Sequence, residues 1–157
     1  MEFLNLDPID RRLLNALQQD SSRTNQQLAA DLHLSPPTCL RRVQRLRQSG
    51  LIAREVALLD ADRLGATLTA IVEVSLDRQD EQSLAAFEAR VAPDEAVQQC
   101  YRVSPGPDFV LIVTVRDMPA YQSLAQRLFT SDANVRNVKA FFSVRRAKFE
   151  PRVPLAG

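Results

Sequence analysis

Near residue 60 the apolar residues of this chain change their spacing, and that change limits what the chain can fold into. Before it they recur every three or four positions: Ile9, Leu13, Leu14 and Leu17, then Leu28, Ala29 and Leu32, then Cys39, Leu40, Val43 and Leu46. After it Leu68, Ala70, Val72, Val74 and Leu76 alternate with mostly polar neighbours. The first spacing buries one stripe of a helix, and the second buries one face of a strand. An α+β chain in two parts follows, helical first and sheet-forming second.

Local signals set the helix ends. Asp7 is a good N-cap and Pro8 occupies the first helical position, where its missing N–H costs nothing. The polar cluster at 20–22 stops that helix, and Thr24 or Asn25 can cap a short second one. His33 and Leu34 make a tight turn. Ser35 caps a third helix that opens on Pro36 and Pro37, runs to about Ser49 and stops at Gly50. Residues 51–59 are apolar and partly β-branched and read as a strand, with 60–65 as a connector.

The second part reads β-α-β-β-α-β. A strand over 67–77 is followed by a helix over 81–91 through Leu84, Phe87 and Val91. A strand over 97–103 follows, with Val97, Tyr101 and Val103 on one face, then a turn at Ser104-Pro105-Gly106-Pro107. An almost wholly apolar strand spans 109–115. Asp117 caps a helix through Tyr121, Leu124, Leu128 and Phe129. The last strand runs from about 135 to 149, with Val138, Ala140, Phe142 and Val144 alternating. Two right-handed crossovers in this order give a ferredoxin-like antiparallel sheet with both helices on one face. The bare face carries Ile71 and Phe141, so a partner copy is expected to cover it. The expected boundaries are 1–52 for the helical domain, 53–66 for the linker strand and connector, 67–150 for the sheet domain and 151–157 for a tail that frays from about 150.

Composition excludes more than it selects. The N-terminus carries Glu2, Asp7 and Asp10 and does not read as a signal peptide. The apolar run at 109–115 is too short to span a bilayer. Cys39, Cys100 and a single histidine make no metal-ligand cluster, so no metal or cofactor is expected, and the reading is a cytoplasmic protein with free thiols. Net charge is +1, yet residues 36–54 hold Arg41, Arg42, Arg45, Arg47 and Arg54 with no acidic residue. Such a block can form a phosphate-binding face on a nearly neutral protein; a solvated helix face is the plainer reading.

The arrangement around the third helix favours the first. At 100° per residue, Cys39, Leu40, Val43, Leu46 and the stem of Arg47 fall on one side. The other collects Pro37, Thr38, Arg41, Gln44, Arg45 and Gln48, with Arg42 at its margin. Arginine pairs bidentately with guanine, glutamine with adenine, and threonine offers a hydroxyl or a methyl. Thr38 and Arg41 are the best base-contact candidates, and Arg42 and Arg45 the phosphate contacts. Arg54 can hold the backbone as a wing would, and Thr24 can meet a phosphate at its helix N-terminus. Cys39 reads as core, Cys100 and Tyr101 as core or pocket, and His33 as structural or a phosphate contact. The basic positions Arg145, Arg146, Lys148 and Arg152 read as a solvated strand end.

The stretch LDPIDRRLLNALQQDSSRTNQQLAADLHLSPPTCLRRVQRLRQSGLI resembles the N-terminal domain of the Lrp/AsnC regulators in its L-D-x-x-D start and its spaced L-S, T, R-V, L and G-L-I. VALLDADRLG, the strand at 67–76 and VRDMPAY resemble the same family further on. The resemblance implies a winged helix-turn-helix joined by a strand to a ligand-responsive αβ domain. It implies dimers that assemble into octamers or similar rings on double-stranded DNA, and an amino-acid effector controlling genes of amino-acid metabolism or transport. It places that effector near Ser104, Gly106 and Asp108, with Val138 and Ala140 on the last strand. Here the sequence departs from the family: Pro105 stands where a glycine is usual, Pro107 removes a backbone donor, and Val138 and Ala140 replace hydroxyl residues. Asp108 can meet an ammonium group or merely cap a turn.

Two other readings compete. Some haem-pathway decarboxylases share this two-domain layout, but one histidine in a turn and two separated cysteines offer no placed acid, base or nucleophile. A sensor that never touches DNA and only co-assembles with a partner regulator would leave the polar face of the third helix without a purpose.

Overall fold

The computed structural model describes residues 5–65 and 67–155. The chain divides into two compact units. One combines residues up to 58 with those from 148 onward, and the other holds residues 59–147.

The first unit is built on α1 (Pro8–Gln19), α2 (Asn25–Asp31) and α3 (Pro36–Gln48). Each starts where its sequence dictates. Asp7 accepts from the Asp10 N–H, and the Asp10 carboxylate accepts from the Asp7 N–H, closing a capping box. Thr24 and Gln27 close a second capping box on α2, and the Ser35 hydroxyl caps α3. His33 ends the α2 turn in the left-handed region at φ 55°, with the Leu34 N–H returning to the Ala29 carbonyl. Leu13, Leu14, Leu17, Leu28, Ala29, Cys39, Val43 and Leu46 form the core. Leu40, expected among them, is exposed.

Two expectations fail in this unit. Residues 51–59 form no ladder; Leu51 and Ile52 bend and the chain then runs on without a strand partner. Arg54 therefore stands on a segment without a strand partner, and the described residues contain no wing hairpin. Residues 151–155 also do not stand apart as a fraying tail. Val153 donates its N–H to Gln18 Oε1 (2.7 Å) and accepts from Gln18 Nε2 (3.1 Å). Asn15 donates to the Leu155 carbonyl, and Leu155 packs against the helical core. The rest of the expected tail, 156–157, lies outside the described residues, as does Glu2.

The second unit opens with a single 3-10 turn at Ala61–Arg63. It then contains β1 (Leu68–Leu76), α4 (Glu81–Val91), β2 (Val97–Arg102), β3 (Phe109–Val115), α5 (Met118–Ala125) and β4 (Val135–Phe142); α5 continues as a π-helical turn over Gln126–Thr130. The sheet is antiparallel in the order β2-β3-β1-β4, the ferredoxin-like arrangement. Ala70, Val72, Val74 and Leu76 of β1 meet Phe109, Leu111 and Val113 of β3, and the two helices cover them through Phe87, Val91, Tyr121, Leu124, Leu128 and Phe129.

Strand β2 differs from its alternation. A bulge between Val97 and Gln99 shifts the register, so Cys100 joins Val97 against the core and Tyr101 turns to the bare face. Strand β4 ends at Phe142, seven residues earlier than expected; its last pair is Phe142 with Ala70, one further bond joins the Ser143 N–H to the Thr69 carbonyl, and β1 itself begins at Leu68. The bare face exposes Ile71, Tyr101 and Phe141, with Ile71 directly opposite Phe141.

Candidate nucleic-acid interface and effector turn

Pro37, Arg41, Gln44, Arg45 and Gln48 are all exposed on α3, and Thr38 is half-buried at its first turn. The helix is held in place at its start. Asn25 at the head of α2 donates to the Pro36 carbonyl (2.8 Å), and the Ser35 hydroxyl bonds to that of Thr38 (2.8 Å). Thr24 is exposed beside Asn25 at the same corner. Its hydroxyl already accepts from the Gln27 N–H, so it offers DNA only its remaining capacity.

The arginines divide into two groups. Arg42 Nη1 donates to Asp7 Oδ2 (2.6 Å) and to Asp10 Oδ1 (2.8 Å). Arg45 donates to Asp10 Oδ2, and Arg47 to Glu55 (2.8 Å). Arg41 and Arg54 carry no ion pair among the described residues. Arg42 was expected on the phosphate face; the structure turns it instead toward the N-terminus of α1, where its side chain is 21% exposed. The reason is electrostatic: two carboxylates at that helix end attract the nearest guanidinium, and partial burial strengthens the pairing. Arg45 keeps about half its side-chain surface in solvent while tied to the same carboxylate.

Asp10 is the residue that sequence reading missed. It is 1% exposed, the one buried charged side chain among the described residues. Its spacing three residues after the Asp7 cap is a local signal, but its partners lie more than thirty residues away on another helix. The backbone N–H of Asp10, and then Arg42, hold the Asp7 carboxyl below the ordinary aspartate value, and both carboxylates raise Arg42. A depressed folded-state value means that this contribution is complete above the unfolded carboxylate range and disappears as pH falls through the lower folded value. The helical unit should therefore lose stability below about pH 4. In Asp7→Asn, which keeps the cap, the acid limb of a pH-resolved melt should be shallower. An identical limb would show that Asp7 plays no part in it.

The effector candidates lie in the β2–β3 turn and on β4. Ser104 and Gly106 are exposed in the turn between β2 and β3, and Gly106 takes φ 123°, a conformation that favours glycine. Asp108 is half-buried. Its Oδ2 accepts from the Leu76 N–H (2.7 Å), and its own N–H donates to the Val74 carbonyl (2.9 Å). One carboxylate oxygen thus serves the end of β1, the structural role that competed with ammonium binding. Val138 and Ala140 pack against the core under the helices. They pair with Val74 and Val72, whose side chains are fully buried, so they lie on the sheet's covered face.

Both cysteines are free, and burial raises each thiol above its ordinary value, with Glu88 adding to the effect at Cys100. That keeps them protonated and poorly nucleophilic. Among the described residues no helix is long and apolar enough to cross a membrane.

Two family models match this chain: the AsnC-type helix-turn-helix domain over residues 6–47 and the Lrp/AsnC ligand binding domain over residues 69–153. The leucine-responsive regulatory protein of Rhizobium meliloti is 36% identical, with 91% of this chain and 92% of that one covered. The crystal structure of an AsnC family transcriptional regulator from Agrobacterium tumefaciens superposes with a TM-score of 0.88 at 31% identity, over 95% of this chain and 97% of that one. A transcriptional regulator from Neisseria meningitidis, solved in complex with L-Met, gives a TM-score of 0.87 at 27% identity, over 96% and 97%.

Proposed function

The chain belongs to the Lrp/AsnC family of transcriptional regulators, and from that premise we propose that α3 reads duplex DNA while the sheet unit answers to a small amino acid. Pro37, Thr38, Arg41, Gln44, Arg45 and Gln48 form the reading face, flanked by Thr24 and Arg54. One observation carries this: an exposed helix face that mixes arginine, glutamine and threonine and holds no acidic side chain. Arg41 is the principal base reader, because it is exposed and unpaired. Arg42 is reassigned as a brace between α3 and α1.

For the effector, the supporting facts are the ligand-binding match and the L-Met held by the Neisseria relative. The ammonium group meets the free Asp108 oxygen, and the exposed backbone around Ser104 and Gly106 meets the carboxylate. A second copy covers Ile71, Tyr101 and Phe141 on the bare sheet face, giving a dimer that assembles further. The protein acts in the cytoplasm and catalyses no reaction.

The test is light scattering with and without a panel of amino acids, followed by gel shifts on DNA from upstream of its own gene. Ligand-dependent change in both is the expected result. DNA binding indifferent to every amino acid would overturn the effector reading and leave the sheet unit an assembly domain.

A further inference from the structure

We propose that Asp10 is a specificity-determining positioning residue, which withholds Arg42 and Arg45 from the DNA backbone so that recognition rests on Arg41 and its neighbours. This rests on the reading of α3 as the DNA-contacting helix.

A buried carboxylate is costly unless paired, and Asp10 is paired on both oxygens. Oδ1 accepts from Arg42 and Oδ2 from Arg45, so one rigid group ties down two guanidinium groups one helical turn apart on α3. Its own position is fixed by the cap. The Asp10 N–H donates to Asp7 Oδ1 (2.8 Å), and Oδ2 also accepts from the Asp7 N–H (3.3 Å). With Asp7 on Arg42, the cluster holds two negative and two positive side chains and is neutral as a set.

Non-specific affinity for DNA comes from cations that neutralise phosphates and release counterions. It is the competitor of sequence reading, since phosphate contacts carry no base information. A helix presenting Arg41, Arg42 and Arg45 as free cations would bind any duplex. The Asp10 cluster removes one of these outright and compensates the other, leaving Arg41 as the uncompensated cation on the reading face of α3. Arg45, held at one nitrogen and about half exposed, keeps a single direction of approach. The cluster therefore lowers background binding without removing the polar face.

The experiment uses the full chain with Asp10→Asn, a random-sequence duplex and DNA from upstream of its own gene. Affinity is measured across a salt series, and a thermal melt confirms that the variant is folded. Arg42 stays on Asp7 in this variant, but the freed Arg45 should gain a phosphate, steepening the log–log salt slope by about one per bound chain and raising low-salt affinity for the random duplex several-fold. Affinity for the upstream DNA should change less, so the ratio between the two falls. A purely structural Asp10 would instead weaken both duplexes in parallel with unchanged slope, which overturns the proposal.

If the variant does not fold, Arg45→Gln and Arg41→Gln replace it. Arg45→Gln should shift the slope by well under one phosphate, and Arg41→Gln by more. Equal shifts overturn the proposal. A parent chain that binds neither duplex at any salt overturns the DNA reading itself, and this inference falls with it.

Discussion

Arg41→Ala should relax base preference at one operator position and cost about 1–3 kcal/mol per half-site, a loss of roughly 5- to 150-fold. The size follows from what the side chain is free to do. Arg41 is exposed on the reading face and makes no ion pair among the described residues, so both edges of its guanidinium are available for a bidentate base contact. For the same reason the substitution should leave folding stability within about 0.5 kcal/mol. Competition gel shifts over a set of singly substituted operators read the outcome. Selectivity lost at one position makes Arg41 a base reader. Equal weakening on every sequence makes it a phosphate contact, and the base-reading role then passes to Thr38 and Gln44.

The second large effect lies in the sheet unit. Phe87 is almost fully buried, with its ring stacked on Phe109 at 4.6 Å and on Phe129 at 6.4 Å. It is the point where α4, the central sheet and the end of α5 meet. Phe87→Ala removes the ring from both stacks and leaves a cavity that a four-stranded sheet cannot close. The expected cost is about 3–5 kcal/mol, against a total stability on the order of 5–15 kcal/mol for a domain of this size. Its unfolding midpoint should fall by more than about 10 °C, while Phe87→Leu should recover much of the loss. A cost below about 1 kcal/mol would mean that neighbouring side chains move into the gap, and the aromatic cluster would lose its central place in this account.

Much of this architecture was legible because it is written locally. Asp7 with Pro8, Thr24, and Ser35 with Pro36 fix three helix starts through contacts within three residues. Alternation in β1 fixes which face is buried, and the order of elements leaves few topologies open. The departures share a different cause, which is pairing over long sequence distance. Ile52 and Val56 look like strand residues, but a strand also needs a partner backbone, and none among the described residues pairs with this segment. The phase of β2 turns on one bulge that alternation cannot place. At the functional face, sequence located the arginines of α3 but could not show which ones Asp7 and Asp10 would claim. The alternation of Val138, Ala140 and Phe142 already put them on one face, and Val138 and Ala140 pack against the core there; their place in an effector site came from the resemblance alone.

The clamps of Gln18 on Val153 and of Asn15 on Leu155 also carry a consequence for synthesis. The helical unit is encoded in two pieces, with roughly ninety residues of sheet unit between them. At about 5–20 residues per second, a ribosome needs some five to twenty seconds to cross that interval. Throughout it, α1 has emerged but the segment that covers its apolar flank has not. The part of the regulator that meets DNA is thus begun first and completed only after the ligand-binding domain has been made.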